Sequence, residues 1–349
     1  MWRWPWMLVS LNLSVLSLTL ISVWHLDAGA ETTSIGSTSE QEADFLLENS
    51  KRAFQDNKYE EAITQLKRYV ARYPGYREYT EAKLLLGRSL LGLKKYKEAI
   101  PYLKNYIAVA AVNQPEAIDV RLELGNAYLK TKQAHPAYLI ALELEKLHVQ
   151  QSPSRLQRSS GLLIKGQALL ENHKLKLAQL VLNSMEKEAQ GVMETNVTAQ
   201  VQSLKLKIKL YECSRLLKQN NLTEPQVKDR YERHGLCLME ALNLYHSLFS
   251  SEDLMLIEDS TQSLTTALHH YRTWVNHPPI PSKIKSKPQI QKLRYQSELR
   301  DMLLGERKKR LTEASSALSS WRKSVRPEQA PYIQSLMFSI ESSHPEQTL

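Results

Sequence analysis

Two stretches decide the fold: NKYEEAITQLKRYVARYP (57–74) and KKYKEAIPYLKNYIAVAA (94–111). Each carries a Lys-Tyr-x-Glu-Ala-Ile core followed by apolar residues at three- and four-residue steps, the spacing of one buried helix face. A chain that writes the same short helix twice is building a unit that cannot bury its apolar face alone. Aligning the copies on their central alanine extends the pattern to Ala62, Ala99, Ala137 and Ala178, at steps of 37, 38 and 41 residues. The additional residues between units fall in 75–80 and 150–154, where Gly, Pro and Ser mark loops.

Composition agrees with helices throughout. Glycine is scarce, at 11 of 349 residues, and alternating Val/Ile/Thr runs are nearly absent, which argues against strands. Within the units, a small residue recurs in the first helix as Ser50, Gly87, Gly125 and Gly166. A packing position follows three residues later as Ala53, Leu90, Tyr128 and Leu169. The second helix supplies Ala62/Leu66, Ala99/Leu103, Ala137/Ala141 and Ala178/Leu182, and Pro74 closes the first unit. Small residues allow two helices to approach, and the larger ones fill the space left beside them.

Position by position, residues 41–190 resemble the tetratricopeptide repeat, whose unit is 34 residues long. The resemblance implies an all-α fold: a right-handed α-solenoid of about four helical hairpins, followed by a helical C-terminal region. It also implies a concave groove lined by the first helix of each unit. Carried over by alignment, the groove holds Leu47, Leu84, Leu122 and Leu163, a donor ladder of Lys51, Arg88, Asn126 and Gln167, and nearby Phe54, Leu91, Leu129 and Leu170. Such a ladder could grip an extended peptide. The plainer alternative makes the leucines inter-repeat core and the ladder a solvated face.

The N-terminus reads as an export signal, with one Arg in MWRWPW, an apolar stretch from Met7 to Val23, and Ala28-Gly29-Ala30 before a polar segment. Cleavage after Ala30 gives a mature chain with an unstructured start over 31–40 and a periplasmic location; an uncleaved membrane anchor is the competing reading. Export places the two cysteines, Cys213 and Cys237, in an oxidising compartment, where a disulfide competes with two buried thiols. Their helices meet around 220–224, but Cys237 lies further from that turn than Cys213, a mismatch that strains disulfide reach.

Past the repeats, 191–276 reads as a helical extension with helices near 196–219, 225–250 and 252–275. A proline- and lysine-rich linker occupies 277–288, and a basic helix with a tail fills 289–349. Leu304, Leu311, Leu318 and Val325 recur at seven-residue steps, a coiled-coil-like seam expected to dock on the chain's own body. From 280 to 326, thirteen basic and four acidic residues give +9, equal to the net charge of the whole chain. Lys283, Lys285, Lys287, Arg307, Lys308, Lys309 and Arg310 form the proposed basic surface, for an anionic membrane or simply for solvent. Export excludes nucleic acid as the partner.

Catalytic patterns are lacking. His269 and His270 are adjacent and point apart on a helix, so with His277 they do not make a zinc site. The glycines of Gly161-Leu-Leu-Ile-Lys-Gly166 lack the Lys-Ser/Thr ending of a phosphate loop. The expectation is therefore a scaffold that is not an enzyme, with no cofactor and no metal, binding proteins in a bacterial cell envelope. The rival is an envelope enzyme or enzyme regulator whose active part lies in 196–349, recognisable by a deep cleft with converging carboxylates or histidines.

Overall fold

A computed structural model describes residues 32–109, 116–150, 153–188, 195–217, 223–276, 280 and 282–341. The expected export signal over 1–30 lies outside the described residues. Four hairpins follow in order: α1 (Thr32–Gln55) with α2 (Tyr59–Arg72), α3 (Tyr79–Gly92) with α4 (Tyr96–Val109), α5 (Ala117–Lys130) with α6 (Ala134–Gln150), and α7 (Arg155–Glu171) with α8 (Leu175–Glu188). They are succeeded by α9 (Thr195–Leu216), α10 (Glu224–His246), α11 (Leu254–Asn276), α12 (Ser282–Lys285), α13 (Gln289–Arg322) and α14 (Ala330–Glu341). Each helix packs on its predecessor in the repeat array, so the fold is an all-α solenoid of hairpins.

Sterics explain the recurring residue types. Ala62, Ala99, Ala137 and Ala178 are all 0 % exposed, and Leu66, Leu103 and Leu182 beside them are equally enclosed. A Cβ placed on Gly87 would stand 3.1 Å from the Cβ of Tyr102, and one on Gly125 would stand 3.0 Å from Ile164 Cδ1. The helices of these hairpins approach as closely as they do because those positions are glycine. Ser50, in the same position of the first unit, is fully buried and satisfies its hydroxyl on the Leu46 carbonyl at 2.6 Å.

The turn inside each hairpin is also repeated. Asn57, Lys94, Lys132 and His173 have φ of 59°, 59°, 62° and 58°, the left-handed region that favours glycine. Each donates back to the carbonyl three residues earlier, and the following residue donates to the carbonyl five residues earlier, as in Asn57 N–H to Phe54 O at 3.0 Å and Lys58 N–H to Ala53 O at 2.8 Å. This double bond satisfies the last carbonyls of the first helix and reverses the chain. Between units, Ser154 caps α7 by accepting from the Gln157 N–H at 3.1 Å, with the Gln157 side chain returning the bond.

Helix α9 joins the two halves because it is apolar on two faces. Val197, Val201, Leu204 and Ile208 close the fourth hairpin, while Leu206, Leu210 and Cys213 enter the core of the C-terminal bundle. That core continues through Tyr231 and Tyr245 on α10, Ile257 and Leu264 on α11, Leu299, Leu303 and Leu318 on α13, and Leu336 on α14. The regions read separately as 191–276 and 289–349 therefore share one core. The heptad seam docks on the chain's own body, with Leu318 fully buried and Leu304, Leu311 and Val325 partly so.

Three expectations are corrected here. Residues 32–40 are helical, not unstructured, because no proline interrupts the run into Ala43, Leu46 and Leu47, which are buried. Of the linker, 277–279 and 281 lie outside the described residues, and 282–285 form α12. Arg307 and Arg310 do not belong to a basic surface. Arg307 is 8 % exposed, and Arg310 lies over Gly235 while bonding Glu306 at 2.7 Å and Glu313 at 2.9 Å. The long apolar stem of Arg310 lines the core while its guanidinium finds carboxylates one helical turn away.

Candidate functional site

The first two hairpins leave a cleft of about 870 Å³ between α1, α3, the end of α4 and the residue preceding α5. Lys51, Phe54 and Gln55 line one wall from α1. Glu81, Leu84, Leu85 and Arg88 rise from α3, with Arg77 and Thr80 at its start. Tyr106, Val109 and Glu116 close the far end. The apolar floor and polar rim follow from the helix spacing, since residues three and four apart share a face.

The structure thus brings together Lys51, Phe54, Leu84 and Arg88, four of the residues carried over by alignment. It separates the others. Leu129 is 4 % exposed and belongs to the core, and Leu91 is half-buried between the cores of adjacent units. Asn126 is exposed outside the cleft, and Gln167 donates to Glu171 on its own helix at 3.2 Å.

The donors of the ladder are engaged. Lys51 Nζ stands 3.2 Å from Glu81 on the next unit and 3.3 Å from Glu48 on its own helix. Arg88 Nε donates to both oxygens of Glu123, at 2.9 and 3.2 Å, again one unit on. Two of the four ladder positions, Lys51 and Arg88, are therefore clamps between successive first helices. Arg77 is the exposed cation of the cleft and forms no ion pair among the described residues.

Titration behaviour follows from these partners. Burial disfavours the charge on Lys51, but its hydrogen bonds to Glu81 and Glu48 outweigh that and raise its pKa. Burial likewise pushes the Glu123 carboxyl up, against the pull of Arg88. Tyr106 is pushed up to about 12, by burial first and then by the hydrogen bond it donates to Glu116 at 2.8 Å. At neutral pH this hydroxyl is a donor and not a nucleophile.

Sequence reasoning missed Arg77, Glu81, Tyr106, Glu116 and Glu123. Glu81 and Glu123 follow Lys51 and Arg88 at unequal distances, 30 and 35 residues on, so no fixed spacing marked them.

Two smaller cavities lie among the described residues of the non-repeat half. One, about 340 Å³, is lined by His246, Ser247, Phe249, Arg326 and Gln329 among others; the other, about 370 Å³, lies beside His269, Arg272 and Phe338. Neither is lined by a carboxylate. Among the described residues, no three His, Cys, Asp or Glu side chains converge on a metal position, and no helix is long and apolar enough to cross a membrane.

The bundle also carries a covalent link. Cys213 and Cys237 are joined, with their Cα atoms 5.6 Å apart. Cys213 is one turn from the end of α9, and Cys237 lies about three and a half turns into α10. The expected mismatch vanishes because α10 overshoots α9. Lys209 on α9 and Glu240 on α10, 2.9 Å apart, follow the same register.

A family model described as tetratricopeptide repeat matches residues 47–108 and 84–154. Among solved structures, a tetratricopeptide repeat protein from Parabacteroides merdae ATCC 43184 is similar, at 11% identity and a TM-score of 0.40, covering 86% of this chain and 99% of that one. No curated protein matches the chain.

Proposed function

We propose, from the premise that this chain is a tetratricopeptide repeat protein and hence a protein-interaction scaffold, that it is an exported, non-enzymatic adaptor of a bacterial cell envelope. The cleft of about 870 Å³ over the first two hairpins carries this reading. Its half-buried Phe54 and floor of Leu84 and Leu85 would take apolar side chains of an extended segment. Arg77 and Thr80 would meet its polar groups at the rim. Nothing in the cleft is arranged for chemistry, since Tyr106 is held protonated and each carboxylate has a basic or hydroxyl neighbour.

Export rests on the signal-like stretch up to Ala30, and the Cys213–Cys237 link fits an oxidising compartment. A second contact, between the basic C-terminal segment and an anionic membrane surface, belongs to the same proposal.

The test blocks the cleft without touching the clamps. Phe54→Ala with Arg77→Glu should abolish co-purification of envelope partners while leaving the circular dichroism spectrum and melting curve as in the parent. Retained co-purification would count against the cleft, and N-terminal sequencing of the exported chain checks the start at Glu31.

A further inference from the structure

Basic residues are exposed at several places along α13, and the stretch leading into it is almost free of acid. Arg307 is buried and Arg310 is tied to Glu306, while Lys308 and Lys309 between them stay exposed, as do Arg322 and Lys323. The stretch from α12 into the first turns of α13 differs from these in its apolar neighbours as well as its charge. Over 282–298 it holds Lys283, Lys285, Lys287, Lys292 and Arg294 against a lone acid, Glu298. Glu298 is taken by Arg294 at 3.1 Å. Lys283, Lys287 and Lys292 have no carboxylate partner among the described residues.

The same end is apolar where it should be polar. Tyr295 and Leu299 are the first residues of α13 to pack on the bundle core, so the turns before them stand clear of it. On those turns Ile290 is 80 % exposed and Leu293 55 % exposed. Ile290, Leu293 and Arg294 stand three and four residues apart, so they share one helix face. The buried stripe of α13, through Leu299 and Leu303, runs along another.

We infer that residues 283–294 form an arm that docks on an anionic phospholipid bilayer, the lysines meeting headgroup phosphates and Ile290 and Leu293 sinking to the acyl boundary. An interfacial helix needs both components, attraction by charge and an apolar face without a protein partner. Duplex nucleic acid would satisfy the lysines and leave the two apolar side chains in water. This assignment rests on the membrane contact proposed above and narrows it to twelve residues; it is independent of the cleft.

Flotation of the full chain with phosphatidylcholine vesicles, with and without phosphatidylglycerol, tests it. The parent should bind phosphatidylglycerol vesicles in a salt-sensitive manner and neutral ones far less. Lys283→Gln, Lys287→Gln and Lys292→Gln together should weaken that binding roughly 100-fold, at about five-fold per lysine. Ile290→Ser with Leu293→Ser should weaken it and make the remainder wholly salt-sensitive. All these side chains lie off the core, so unchanged melting curves confirm intact folding. If the parent shows no preference for phosphatidylglycerol, the membrane contact itself is wrong. If the preference survives in both variants, the contact stands and the arm is wrong. Equal affinity of the parent for duplex DNA would overturn the choice of lipid.

Discussion

Lys51 reaches 3.2 Å across to Glu81, and Arg88 reaches 2.9 Å across to Glu123, so each cation of one first helix is clamped by an acid of the next. The two links differ in environment. Glu81 is more than half exposed, whereas Arg88 and Glu123 are 26 % and 28 % exposed. Removing Arg88 would leave Glu123 in a site that already disfavours its charge. Arg88→Ala should therefore destabilise the chain by about 1–2 kcal/mol, and Lys51→Ala by less than about 0.5 kcal/mol. Urea titration of both variants checks the order. A charge swap, Arg88→Glu with Glu123→Arg, should recover most of the loss.

The repeated turn offers a change in the opposite direction. Lys94 and Lys132 hold left-handed backbone with a side chain attached, and both side chains point to solvent. A Cβ in that region is unfavourable, and glycine removes the penalty at the position where helices commonly end on it. Lys94→Gly and Lys132→Gly should each stabilise by about 0.5–1 kcal/mol. Lys95→Gly, one residue further along, should do no such thing. A lower urea midpoint for Lys94→Gly would contradict the assignment of this turn.

The repeat was legible because close packing restricts residue type. Only a small residue fits where Gly125 meets Ile164 or where Ala99 is wholly enclosed, so the restriction shows as a recurring letter. The clamps were not legible, because Lys51 and Glu81 come together only through the twist between units, and no local spacing marks the pair. The same holds for the cysteines, whose register depends on how far α10 slides past α9. Arg307 and Arg310 were misread for a different reason. A run of charges resembles a solvated face, yet Glu306 and Glu313, at the right spacing to pair with Arg310, were visible as the sign of an internal network.

The cysteine link closes a loop of 24 residues that includes the connection from α9 to α10. Restricting a loop of that length in the unfolded chain is worth about 3 kcal/mol. Cys213→Ala with Cys237→Ala should lower stability by that order, while the repeat half melts as before. Mass spectrometry of the untreated and reduced protein should differ by two hydrogens. Equal masses would show that the link is absent.

Acid should unfasten the bundle from within. His234 is 2 % exposed, its Nδ1 has no hydrogen-bond partner, and its ring lies 5.1 Å from that of Tyr271. Burial, with a smaller contribution from His270, holds its pKa at about 4, below the ordinary value of 6.5. The folded state therefore keeps this ring neutral while the unfolded chain protonates it. Its share of the stability is complete above pH 6.5 and declines as pH falls towards 4, by about 3 kcal/mol in all. Urea midpoints measured between pH 7 and pH 4 should drop across that window in the parent. In His234→Phe, which keeps a ring against Tyr271 but cannot take a proton, the drop should be smaller by the same amount. A parallel decline in both would assign the acid sensitivity to other groups.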